Sequence, residues 1–125
     1  MIVDTNALSA MADGDIELEP VLKIAKAVVL PVIALGEYRY GIRQSRNRIK
    51  YETWLDELVL SCKILEIDER TTLKYALIRE ELKRAGRPIP ANDVWIAALA
   101  IQHELPILSR DGHFDSVSKI QRISW

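Results

Sequence analysis

The sequence has 125 residues, 49% hydrophobic and 28% charged, which excludes a disordered chain and supplies one ordinary domain with a core that needs no disulfide staples. A formal net charge of −1 excludes a global attraction to nucleic acid, so any such binding has to come from a local patch. The single cysteine, Cys62, has no internal partner and sits in an apolar stretch as a small core residue. No apolar run reaches the length of a membrane span and the first residues lack a secretion-type leader, so the expected compartment is the cytoplasm, with no membrane partner.

Taken in order, the chain opens with the apolar pair Ile2-Val3, which stops at Asp4 and two small polar residues. That pattern predicts a buried strand presenting Asp4 at its end, with Asn6 or Thr5 capping the helix that follows. A short helix is expected over 7–13, ended by Gly14, and a second over 18–27 with Pro20 in its first turn and Val21, Leu22, Ile24 and Ala25 on one face. The unbroken apolar run 27–30 marks a strand covered on both sides, closed by Pro31. From Val32 a helix carries Ile33, Leu35, Tyr38 and Tyr40 and places Glu37 in its early turns.

The densest basic stretch follows, with Arg39, Arg43, Arg46, Arg48 and Lys50. It reads equally as a solvated helix junction and as a nucleic-acid contact. Helix is expected over 51–61, with Trp54, Leu55, Leu58 and Val59 facing the core, and a strand over 62–67. A long helix starts at Asp68 or Glu69 and runs to Ala85, with Leu73, Ala76, Leu77, Ile78 and Leu82 at helical spacing and Gly86 as its carboxyl cap. The two prolines of 87–91 interrupt it. Asn92 is expected to cap a helix reaching about Glu104 that is apolar almost all round and therefore central. Strands over 106–109 and 120–124 complete the chain.

Strands alternating with helices predict an α/β layer fold with a mainly parallel sheet, whose function gathers outside the carboxyl ends of the strands. Asp4, Glu37 and Asp111 each follow a strand and would share that edge. Asp93 joins them only if the central helix begins there. Singly, each acid has a plain local explanation: a dipole partner at a helix start for Glu37 and Asp93, a turn for Asp4 and Asp111. Together, converging carboxylates repel unless a cation lies between them, which points to Mg²⁺ or Mn²⁺. Asp115 reads as a surface turn residue that could reach the site. His103 and His113 lack zinc spacing, and His113 reads as a loop residue near the site rather than a ligand. No glycine-rich loop supports a nucleotide cofactor.

Four motifs in this order resemble those of PIN domains, and most of all VapC-type toxins of toxin-antitoxin pairs. They are Ile2-Val3-Asp4-Thr5-Asn6, Leu35-Gly36-Glu37-Tyr38-Arg39-Tyr40-Gly41, Ala91-Asn92-Asp93-Val94-Trp95-Ile96-Ala97-Ala98 and Leu108-Ser109-Arg110-Asp111-Gly112-His113-Phe114. The resemblance implies a single PIN domain over 1–125, a three-layer α/β/α fold with four or five strands, and a Mg²⁺- or Mn²⁺-dependent ribonuclease. It puts Asp4, Glu37, Asp93 and Asp111 in the acidic site, with Thr5 and Asn6, and by position Asp115, as supporting polar groups. It also implies an RNA substrate, a VapB-type antitoxin, a homodimer, and operator DNA reached only through the antitoxin. Asp4, Asp93 and Asp111 are the expected metal ligands, and Glu37 would orient or deprotonate water or hold a second ion. Arg39, Arg43, Arg46 and Arg48 would meet either RNA or an acidic antitoxin segment. Two other readings of the residues stand beside this one: an aspartyl phosphotransferase or phosphatase acting through Asp4, and a noncatalytic module binding RNA or protein.

Overall fold

A computed structural model describes residues 1–125. Its elements in chain order are β1 (Ile2–Val3), α1 (Thr5–Ala12), α2 (Glu19–Ile24), β2 (Val29–Pro31), α3 (Val32–Ile42) and α4 (Arg48–Ser61). There follow β3 (Lys63–Leu65), α5 (Glu69–Arg84), α6 (Ala91–His103), β4 (Ile107–Leu108), a 3-10 helix (Gly112–Ser116) and β5 (Arg122–Ile123). The strands form one sheet in the order β3-β2-β1-β4-β5, and every neighbouring pair is parallel.

Strand periodicity sends alternate side chains to opposite faces, and two cores result. Ile2, Val29, Leu65 and Ile107 point into a core with Ile78 and Leu82 of α5, the buried face of α6, and Phe114. Val3, Leu30 and Leu108 point the other way, into a core with Ala7, Leu8, Leu35, Tyr38 and Leu55 from α1, α3 and α4. Helix α6 buries Val94 and all of Ile96 to Ala100, as expected of a helix apolar nearly all round. The result is three layers, α1–α4 over one face and α5, α6 and the 3-10 helix over the other.

Chain order explains where function can sit. From β1 the chain builds outward through β2 to β3 and then crosses back to β4 on the other side of β1. The crevice between the carboxyl ends of β1 and β4 is therefore the topological switch point of the sheet.

Several local expectations need correcting. Neither Thr5 nor Asn6 caps α1; Thr5 is already helical, the cap position is Asp4, and it makes no capping hydrogen bond. Asn92 does not cap α6 either, because Pro90 holds the cap position with an extended backbone. Helix α2 stops at Ile24, whose side chain is exposed, and Tyr40 of α3 also faces outward. On α5 the buried residues are Thr71, Ile78 and Leu82, so Leu73 and Leu77 lie outside the core that their spacing suggested.

The start of α5 is the best-formed cap. Asp68 Oδ1 accepts from the Thr71 amide at 3.1 Å, and Thr71 Oγ1 accepts from the Asp68 amide at 3.0 Å, a reciprocal box. The Thr71 amide bond is the main cause holding the Asp68 carboxyl below its ordinary value. A lowered folded value means that the charged cap stabilises fully above the ordinary carboxylate range and is lost as pH falls through the folded value. Asp68→Ala is expected to lower the melting temperature at pH 7, with the gap to wild type closing in acid. Thermal unfolding from pH 7 down to pH 3 measures this, and a gap independent of pH would contradict it.

Candidate active site

Asp4 ends β1, and its amide donates to Leu108 O at 3.1 Å, so the sheet ladder itself fixes the residue at the crevice. Its carboxylate Oδ2 accepts from Ser109 Oγ at 2.7 Å and from Asn6 Nδ2 at 3.1 Å. Ser109 follows β4 and is fully buried. Its hydroxyl also accepts from the Asp111 amide at 2.9 Å, while Asn6 Oδ1 accepts from the Arg110 amide at 3.1 Å. One serine and one asparagine thus tie the ends of the two central strands together.

Glu37 lies in the second turn of α3, and Thr5 Oγ1 donates to its Oε1 at 3.0 Å. Asp93 is in the first turn of α6, whose amino end does open at this edge of the sheet. Asp111 precedes the 3-10 helix, and its Oδ1 accepts from the His113 amide at 2.9 Å. The imidazole Nδ1 of His113 stands 3.0 Å from Asp93 Oδ2 and 3.1 Å from Asp111 Oδ1, bridging the two carboxylates.

The four acids feel one another. Burial pushes the Asp4 carboxyl above its ordinary value, and repulsion from Asp93 and Glu37 adds to that, against the hydrogen bonds of Ser109 and the Thr5 amide. Asp93 is also raised, first by burial and then by Asp111 and Glu37, against the pull of His113. His113 is raised in turn, chiefly by its bond to Asp93. Negative charge is therefore in excess here, and the His113 imidazole, cationic only when protonated, is the one basic group among these side chains.

That donor set suits a divalent ion. Potential ligand atoms of Asp93, Asp111 and His113 lie within 4.8 Å of one another, and carboxylate oxygens are the preferred ligands of Mg²⁺. Asp4 joins the same crevice through its repulsion with Asp93 rather than through that tight trio.

Thr5 and Asn6 hold Glu37 and Asp4 as described. Asp115 turns away: its carboxylate pairs with Arg122 through Nε at 2.8 Å and Nη2 at 2.9 Å. Arg122 Nη1 donates to Ser109 O at 3.1 Å, so Asp115 reaches the crevice only through that guanidinium. In the basic stretch, Arg39 pairs with Asp56 at 3.6 Å, while Arg43 and Arg48 face Glu52 at 3.7 and 3.8 Å. Arg46 has no acidic partner. Much of the local charge is thereby compensated, and all these arginines remain solvated.

Two contributors, Ser109 and Arg122, escaped sequence reasoning, and a third, His113, was placed near the site with too small a part. Ser109 could have been noticed as the one hydroxyl ending an apolar strand; Arg122 gave no local sign. His113, expected near the site but not as a ligand, stands directly against Asp93 and Asp111 and offers a possible ligand atom there.

An all-parallel α/β/α sheet with acids gathered at its switch point is the arrangement expected of a PIN domain. The PIN domain family model matches residues 1–120, and the chain belongs to that family. Within it, the chain is similar to Ribonuclease VapC5 of Mycobacterium tuberculosis, 30% identical over 116 residues that span 90% of this chain and 84% of the relative. The crystal structure of VapBC-5 from the same species, a member of the VapBC family of toxin-antitoxin systems, superposes with a TM-score of 0.78 at 25% identity, over 99% of this chain and 97% of that one. VapBC2 from Rickettsia felis, solved bound to a DNA fragment from its promoter, superposes with a TM-score of 0.87 over 99% and 97% of the two chains. At 22% identity that likeness speaks for the fold.

Proposed function

We propose that this chain, acting as one PIN domain over 1–125, is a metal-dependent endoribonuclease toxin of a type II toxin-antitoxin pair. The observation that carries the reading is the meeting of Asp4, Glu37, Asp93 and Asp111 at one crevice, close enough for burial and mutual repulsion to raise two of them. The relatives named ribonucleases and toxin-antitoxin members supply the substrate class.

Asp4, Asp93 and Asp111 would hold Mg²⁺ or Mn²⁺. When bound, such an ion supplies positive charge to the phosphoryl oxygens and makes water a better nucleophile. The protein's own residues do the rest. Ser109 and Asn6 lock the Asp4 carboxylate in one orientation, and Thr5 does the same for Glu37. Glu37 takes a proton from the water that adds to phosphorus, while the P–O bond to the leaving nucleotide oxygen breaks and that oxygen takes up a proton from solvent. Arg46, which has no acidic partner within the chain, is free to meet either RNA phosphate or an acidic antitoxin segment. Arg39, Arg43 and Arg48 can exchange acids for RNA or an antitoxin segment at small cost, since exposed pairs contribute only about 0–1 kcal/mol.

The partners are a VapB-type antitoxin, operator DNA reached through it, and a second copy of this chain. No helix is long and apolar enough to cross a membrane, and we assign the activity to the cytoplasm.

The test uses purified chain freed of antitoxin and total cellular RNA, with sequencing of new ends. Cleavage is expected with Mg²⁺ or Mn²⁺ and none with chelator; intact RNA in both metals would overturn the nuclease reading. Induced wild type is expected to arrest growth unless an antitoxin is made with it. Equal growth with wild type and Asp93→Asn at matched protein levels would remove the toxin assignment.

A further inference from the structure

The turn after β4 pivots on Ser109. Its hydroxyl donates to Asp4 Oδ2 at 2.7 Å and accepts from the Asp111 amide at 2.9 Å, so any shift of this residue is felt by both acids. Strand β5 holds Ser109 from two sides. The Ser109 amide donates to Ile123 O at 2.9 Å, and the Ser109 carbonyl, which no backbone amide reaches, accepts from Arg122 Nη1 at 3.1 Å. The guanidinium is itself fixed, because its Nε and Nη2 donate to the two oxygens of Asp115 at 2.8 and 2.9 Å. A planar fork with one edge on a carboxylate and its remaining nitrogen on a carbonyl has a single orientation. Exposure follows the same line: the Asp115 side chain is 56% exposed and that of Arg122 22%, so the anchor faces solvent and the group it holds faces the crevice.

We infer that Arg122 is a positioning residue for RNA cleavage and that Asp115 serves the site only by locking Arg122. The contacts run from Asp115 through the guanidinium to Ser109 O, and from Ser109 Oγ to Asp4 and the Asp111 amide. This deepens the metal-dependent cleavage proposed above and rests on that reading. Two of the three carboxylates assigned to the ion thus depend on a side chain that hydrogen-bonds to neither. Groups that orient metal-holding side chains commonly account for about 10–100-fold in metal affinity or activity. A lysine keeps the charge but cannot serve both Asp115 oxygens and the carbonyl in one fixed geometry. A plain staple between β5 and the 3-10 helix predicts something else, a loss of stability with metal affinity and turnover unchanged.

The test uses the full chain, with circular dichroism as the fold control. Arg122→Met keeps an unbranched stem and removes the donors. It is expected to lower kcat on a defined RNA by about 10–100-fold with KM unchanged, and to weaken Mn²⁺ binding, titrated through the melting temperature, by about tenfold. Arg122→Lys should stay near Arg122→Met in both. Asp115→Ala should give a smaller loss of the same kind and none further in the Arg122→Met background, because both changes break one chain of contacts. A raised KM with kcat unchanged would make Arg122 an RNA contact, and Arg122→Lys equal to wild type would reduce its part to charge; either overturns the positioning role. So would a lower melting temperature with kcat and Mn²⁺ affinity intact, or a further loss from Asp115→Ala in the Arg122→Met background. Should Arg122→Met fail to fold, Arg122→Lys and Asp115→Ala decide alone. Wild type that binds Mn²⁺ and leaves RNA intact would count against the nuclease reading, while the Mn²⁺ affinities of the variants still decide the part of Arg122.

Discussion

Asp4→Asn is expected to lower RNA cleavage by about 10³-fold or more, the scale of losing charge stabilisation at a transferring phosphoryl group, while leaving the fold intact. The substitution preserves shape. An asparagine carbonyl oxygen can still accept from Ser109 and Asn6, but the other carboxylate oxygen becomes an amide that cannot hold a cation. Stability should move the opposite way from activity. Burial raises the Asp4 carboxyl above its ordinary value, so the folded state binds its proton more tightly than the unfolded state does. That contribution is fully present below the unfolded value and is lost as pH rises through the folded one, leaving a net penalty at neutral pH. A neutral side chain removes the penalty, and in chelator the variant should melt at or above the wild-type temperature. Asp4→Ala behaves differently, because it strands the buried Ser109 hydroxyl without its acceptor at a cost of about 1–3 kcal/mol. Cleavage undiminished in Asp4→Asn would remove this residue from the mechanism, and an unfolded Asp4→Asn would make it a structural group.

Most of the frame was legible because the strands are buried on both faces. Ile2-Val3, Val29-Leu30 and Ile107-Leu108 had to be strands flanked by helices, and parallel pairing then fixed Asp4 and Asp111 on one edge. Asp93 was harder, since only the packing of α6 against the sheet decides where that helix starts. The failures share a cause: periodicity reports an apolar face and says nothing of what covers it. Leu73 and Leu77 have the same spacing as Ile78 and Leu82 yet face away from the core. Capping was misjudged where side-chain chemistry suited a cap but the neighbouring strand or proline had already set the backbone. Side chains contributed by distant segments, such as Arg122 holding Ser109 O and Asp115, leave no trace in local sequence.

Adding Mg²⁺ or Mn²⁺ to metal-free protein is expected to raise its melting temperature, with or without RNA. A ligand that binds only the folded state stabilises it by about 2.7 kcal/mol at a hundredfold excess over its dissociation constant, on the order of 10 °C for a chain of this size. The crevice gives the reason. Burial and then repulsion among these acids make the charged forms of Asp4 and Asp93 costly, and a divalent ion offsets that cost. Protons compete for the same oxygens. As pH falls toward the raised values of these two acids, protonation removes the repulsion without metal, so the thermal gain should shrink as pH is lowered from neutral. His113 modulates the effect, because its imidazole already sits between Asp93 and Asp111 and must give way or serve as a ligand. Mn²⁺ accepts imidazole nitrogen more readily than Mg²⁺ does, so His113→Ala should reduce the Mn²⁺ gain more than the Mg²⁺ gain if the ring ligates. Asp93→Asn with Asp111→Asn should abolish both gains. A melting temperature indifferent to either ion, or a gain that survives in the double variant, would place the cation elsewhere and leave these four acids without a shared purpose.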